Sequence, residues 1–155
     1  MPYLVDGHNL IPKLGLRLDS PDDEMELVAI LRDFARLKRQ QVEVYFDGAP
    51  IGHAGTRSLG TIRAHFVRLG QTADNAISAR LNKLSKSARN WVVVSSDREV
   101  QSAARVNQAQ YISSEEFVNI LKEARSSASK VITSDKNISA QEVEDWLMLF
   151  NDKKN

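Results

Sequence analysis

The chain contains no cysteine, so neither a disulfide framework nor a thiolate metal site is available to it. No apolar run approaches the roughly 20 residues that a membrane-spanning helix needs. The first residues show no basic segment leading into an apolar core. The expectation is a cytoplasmic protein with no membrane contact. No overall charge of one sign points to a partner, since the net charge is +1. Several catalytic signatures are also missing. No GxxxxGK[ST] loop occurs to cradle phosphates. A haloacid-dehalogenase-type phosphatase needs a second Asp two residues after the first, and His8 occupies that place after Asp6. A response-regulator receiver needs an acidic pair near its first strand, where this chain has a single acid. His8, His53 and His65 lack metal-binding spacing, and no helix-hairpin-helix-like segment or internal repeat is present.

What is present suits one soluble domain. The 155 residues are 42% hydrophobic and 26% charged, enough to bury a core without covalent staples. Tyr3 to Val5 reads as a buried strand. Ser20-Pro21-Asp22-Asp23 reads as a helix start, followed by Leu27, Ile30, Leu31, Phe34 and Leu37 on one face to about Arg39. Val42 to Phe46 is a second strand, stopping at Asp47-Gly48. Ala49 to Gly60 contains three glycines and little periodicity, which predicts an exposed loop that either folds over a substrate or is an inert connection. Ile62 to Val67 is a third strand, and a helix from Ala73-Asp74 carries Ile77, Leu81 and Leu84. Trp91 to Val94, a helix over Arg98 to Val106, a short strand over Ala109 to Ile112 and a capped helix from Ser113 complete the series. Such alternation predicts an α/β fold, a mainly parallel sheet covered on both faces. From residue 126 the sequence turns polar and Ser-rich. A capping box at Ser139 to Glu142 then opens an amphipathic helix bearing Val143, Trp146, Leu147 and Phe150. The expected division is a domain over 1–125 and a linker plus helix over 126–155, the helix packing back on the domain or meeting a partner.

Three apolar strands end on an aspartate: Asp6, Asp47 and Asp97. In a parallel sheet these ends share one edge, where ligands bind. Asp74 opens the helix that leads toward the Trp91 strand. Four converging carboxylates repel and raise one another's pKa values, and a divalent cation relieves that; Mg²⁺ or Mn²⁺ suits a site of oxygen ligands. Singly, each has a plain alternative. Asp97 and Asp74 can be helix N-caps, and Asp6-Gly7 and Asp47-Gly48 are turn dipeptides. The glycines would let the backbone turn and a substrate approach. Asn9 either caps the next segment or orients a phosphate or water. Ser95 and Ser96 either serve as turn hydroxyls or contact the metal site or substrate, and His8, beside the site, is a further candidate for touching substrate.

LVDGHNL, VYFDG, TADNAI and VVVSSDREV, in that order, resemble the NYN domain, a branch of the PIN-like metal-dependent nucleases. SSDREV followed by YISSEEF resembles the YacP-like bacterial subgroup. The resemblance spans residues 2–124, with a weaker likeness in EVEDWLMLF. It implies a three-layer α/β/α PIN-like fold and an endoribonuclease using Mg²⁺ or Mn²⁺. It implies an acidic centre of Asp6, Asp74 and Asp97, supported by Asp47 and completed by Asn9. It further implies cleavage of messenger RNA on the ribosome. His8 stands where the family motif often has Tyr.

The mechanism expected is metal-assisted hydrolysis of single-stranded RNA. The span from Arg57 to Arg98 holds Arg57, Arg63, Arg68, Arg80, Lys83, Lys86, Arg89 and Arg98 with few acids. Its phosphate-facing candidates are Arg98 and Arg57, with Arg63, Arg68 and Arg80 behind them. The rival classes are a non-catalytic RNA- or ribosome-binding module and, ranked last, a DNA-directed nuclease.

Overall fold

A computed structural model describes residues 1–16, 21–49 and 52–135. Four apolar strands, β1 (Tyr3–Asp6), β2 (Val42–Ala49), β4 (Ile62–Arg68) and β5 (Val92–Val94), run parallel in one sheet, and the short β6 (Gln110–Ile112) pairs in parallel with β5. An antiparallel strand, β3 (Gly55–Leu59), joins the edge at β4. The sheet order is β3-β4-β2-β1-β5-β6.

Alternate residues of each strand enter two separate cores, as a sheet buried on both faces requires. Val5, Val44, Phe46 and Ile62 pack under α2 (Pro21–Lys38) and α5 (Ser114–Asp135). Phe34 and Phe117 meet edge to face at 5.4 Å, tying those two helices together. Leu4, Tyr45, Val67 and Val93 pack under α3 (Ala73–Leu84) and α4 (Arg98–Val106). The result is a three-layer α/β/α arrangement. A short helix, α1 (Gly7–Leu10), and a 3-10 turn over Ile11–Leu14 follow β1 directly.

The second core contains a charge. Glu43, wholly buried in β2, accepts from Arg80 Nε at 3.0 Å and Nη2 at 2.9 Å and from the Tyr45 hydroxyl at 3.1 Å, and lies 3.2 Å from His65 Nε2. Burial pushes its pKa upward, but hydrogen bonds from His65 and Arg80, with their charges, outweigh it and hold the carboxyl at about 2. Arg80, half-buried, is therefore committed to Glu43 rather than to a phosphate-facing row.

Two sequence expectations are corrected. Residues 55–59 form strand β3, where a loop was expected. Its GTRSL side chains are largely exposed, so pairing with β4, not apolar content, holds it in the sheet. Helix α5 continues through Asp135 where a linker from residue 126 was expected. No Gly or Pro interrupts Ser114 to Asp135, and its Ser, Ala and Lys residues tolerate a helix. The expected C-terminal helix lies outside the described residues.

Candidate metal centre

Strands β1, β2 and β4 progress to one side and β5 and β6 to the other, so the direction of winding reverses between β1 and β5. The crevice beyond the carboxyl ends of two such strands is where open α/β sheets bind ligands. Val5 pairs with Val94, and the residues that follow them are Asp6 and Ser95. Asp6 is 6% exposed, and its Oδ2 accepts from the Ser95 hydroxyl at 3.0 Å. Ser95 Oγ in turn accepts from the Asp97 amide at 3.0 Å. Ser95 is fully buried; it fixes Asp6 and the Asp97 turn and offers no surface to a substrate.

Asp74, Asp97 and Glu99 each contribute a carboxylate oxygen to a group lying within 4.8 Å. Two alternatives from the sequence resolve here. Thr72 caps α3, accepting from the Asn75 amide at 3.1 Å, so Asp74 in the first turn is not the cap. Asp97 does cap α4, accepting from the Glu99 amide at 2.8 Å, and belongs to the acidic group as well. Glu99 was missed by the sequence reading. A first-turn acid is ordinary at a helix N-terminus, and only its spacing of two from Asp97 marked it. The N-terminal ends of α3 and α4 both face this group and offset part of its repulsion.

The rest of the repulsion is visible in proton affinities. Burial chiefly, and the charges of Asp74, Asp47 and Asp97 after it, raise Asp6 to about 6 against the opposing Ser95 hydrogen bond. Burial, then Asp97, Glu99 and Asp47, raises Asp74. Asp6, Asp47, Asp74 and Asp97 thus share one field. An oxygen-only donor set of this kind fits a hard divalent cation.

Asp47 is reached differently from expectation. Strand β2 does not stop there; its register against β4 shifts between Phe46 and Ala49, with Gly48 at φ +76° between them. The irregularity turns Asp47 out of the ladder. His8 Nδ1 lies 2.8 Å from Asp47 Oδ1, and Nε2 lies 2.7 Å from Glu24 Oε2 on α2. Both ring nitrogens are engaged, so His8 steadies Asp47 and is not free to grip substrate. Asn9 is likewise engaged: its Oδ1 accepts from the Ser96 amide at 2.8 Å and the Ser114 hydroxyl at 2.6 Å, binding α1, the β5 turn and α5 together. No side-chain cap hydrogen bond joins it to the next segment. Ser96 Oγ donates to Glu115 at 2.7 Å and accepts from the Ser114 amide at 3.0 Å. Gly7 also differs from expectation. A Cβ there would lie 2.9 Å from the Tyr45 carbonyl oxygen and would collide with the Phe46 ring. The glycine admits β2, not a phosphate.

Of the two arginines, Arg98 is exposed at the first position of α4, beside the group. Arg57 is exposed on β3, three strands from β1.

The model of the YacP-like NYN domain matches residues 3–150. The chain belongs to that family. NYN domains are part of the PIN-like nuclease superfamily, so the family points to a hydrolase acting on nucleic acid. Two solved structures share the fold. One is a mutant of Rae1 (YacP) from Bacillus subtilis, 20% identical, with a TM-score of 0.73, covering 97% of this chain and 92% of that one. The other is Rae1 (YacP) from Bacillus subtilis, 20% identical over the same shares, at 0.69. No curated protein sequence matches. Among the described residues no helix is long and apolar enough to cross a membrane.

Proposed function

We propose that this YacP-like NYN domain is an endoribonuclease that hydrolyses phosphodiester bonds of single-stranded RNA with Mg²⁺ or Mn²⁺, messenger RNA on the ribosome being its substrate. The observation that carries the reading is the oxygen-only group of Asp74, Asp97 and Glu99 beside buried Asp6, at the crevice between β1 and β5. A structural role gains nothing from such repulsion, whereas a bound cation relieves it.

Asp74, Asp97 and Glu99 would hold the ion, with Asp6 as the inner carboxylate. The chemistry such an ion would supply there is activation of a water and neutralisation of charge on the phosphate oxygens. Ser95 holds Asp6 and the Asp97 turn in register, and His8 holds Asp47 at the rim. Arg98 supplies a cation for the backbone, giving affinity and salt sensitivity without sequence choice.

Cleavage of matched single-stranded RNA and DNA oligomers with Mn²⁺, free and then with messenger RNA on translating ribosomes, tests this. Cleavage of RNA alone supports the reading. Preferred cleavage of DNA overturns the substrate. Binding without cleavage in every arm favours the non-catalytic RNA- or ribosome-binding module.

A further inference from the structure

On the α2 side of the sheet, three rings and a guanidinium form a line. The His8 ring lies 5.5 Å from Phe46, Phe46 is stacked on Phe66 at 5.4 Å, and the Arg57 guanidinium carbon sits 5.1 Å over the Phe66 ring. Phe46 is buried, Phe66 half-buried and Arg57 exposed. The line therefore runs from the rim of the acidic group out to the solvent edge of β3.

The contact with Phe66 restrains a long side chain that would otherwise be free on an exposed strand. A guanidinium so held offers a delocalised plane for a base and donors for a phosphate, where an ammonium offers only a point charge. Unpaired RNA bases stack on aromatic rings and on arginine planes of this kind. The register sets the reach. Asp6, Tyr45, His65 and Thr56 form one row across four strands. Arg57 follows Thr56 and pairs with Ala64, so its side chain lies on the α2 face. Its backbone stands three strand spacings, about 14 Å, from the Asp6 position, and a strand reaching both passes over the carboxyl edge beside His8. One RNA strand can span that distance.

We propose that Arg57, seated on Phe66 and Phe46, is a subsite that stacks one unpaired base of the RNA strand held at the acidic centre. This rests on the nuclease reading above and gives Arg57 a role beyond neutralising phosphate.

The test pairs binding with cleavage. Binding of a labelled single-stranded RNA is measured in EDTA, together with the same oligomer carrying an abasic site at each position in turn. Cleavage of the intact oligomer is followed with Mn²⁺. The proteins are wild type, Arg57→Ala, Arg57→Lys and Phe66→Leu. The expected result is one position whose abasic form binds wild type about tenfold more weakly. That penalty disappears in Arg57→Ala and Arg57→Lys, and shrinks in Phe66→Leu. Equal weakening for all oligomers, intact or abasic, overturns the subsite and leaves Arg57 a phosphate contact. Wild-type cleavage with a flat abasic scan overturns the subsite alone. Base-dependent binding through Arg57 with no cleavage, either of the free oligomer or of messenger RNA on translating ribosomes, upholds the subsite and overturns the nuclease reading. Neither binding nor cleavage overturns both.

Discussion

The Ser95 hydroxyl donates to Asp6 across the β1–β5 boundary at 3.0 Å, joining two residues 89 positions apart. The acceptor is a carboxylate that is 6% exposed and lies in the field of three others. A single hydroxyl bond contributes about 1 kcal/mol, so it lessens the cost of charging Asp6 without removing it.

That balance sets a pH dependence. Asp6 is raised from 3.8 to about 6, equivalent to about 3 kcal/mol. Between those values the folded state binds more protons than the unfolded state. The stabilisation from neutral Asp6 is therefore complete below pH 3.8 and is lost as pH rises through about 6. Asp6→Asn should stabilise the metal-free protein at pH 7.5 by up to about 3 kcal/mol and by much less at pH 4.5, read as urea midpoints. Equal effects at both values would contradict the shift.

Glu99 is expected to contribute to the centre alongside the aspartates beside it. Glu99→Gln removes one oxygen anion from the group within 4.8 Å and should lower cleavage at limiting Mn²⁺ at least about tenfold. Raised Mn²⁺ should recover part of the loss. A Mn²⁺ titration unchanged from wild type would remove Glu99 from the centre.

The Glu43–Arg80 pair should govern stability. Removing Arg80 leaves the buried Glu43 charge with only Tyr45 and His65 beside it, and Arg80→Met should cost about 3 kcal/mol. The double variant Glu43→Leu/Arg80→Met should cost far less than the sum of the single changes. Because Glu43 is lowered to about 2, its contribution is present above the ordinary value of 4.5 and fades as pH falls through 2. Additive losses in the double-variant cycle would mean that the two do not act as a pair.

Gly7→Ala introduces a methyl 2.9 Å from the Tyr45 carbonyl oxygen and into the Phe46 ring. Overpacking of this kind costs about 1–3 kcal/mol. The displaced β1–α1 turn should also lower cleavage, since Asp6 precedes it. Unchanged thermal stability would show that β2 yields easily at this point.

Some of this was legible in the sequence and some was not, for physical reasons. Strands β1, β2, β4 and β5 are apolar because both faces of the sheet are covered, and Asp6, Asp47 and Asp97, at or near the ends of three of them, stand at its carboxyl edge. Strand β3 was hidden because an exposed edge strand needs no apolar pattern; its order comes from β4. Glu99 was hidden in a helix first turn, where acids are common. The engagements of His8 with Glu24 and of Asn9 with Ser114 depend on contacts 16 and 105 residues apart, which no local spacing encodes. Arg80 looked like one more surface cation because Glu43 lies 37 residues away in a strand interior.

The most direct measurement is the rate of single-stranded RNA cleavage against Mn²⁺ concentration for wild type and Asp97→Asn, with EDTA as the blank. The expected result is saturable, metal-dependent cleavage by wild type, abolished by EDTA and reduced at least about a hundredfold in Asp97→Asn. Cleavage that persists in EDTA, or that Asp97→Asn leaves intact, would contradict a carboxylate-held metal centre.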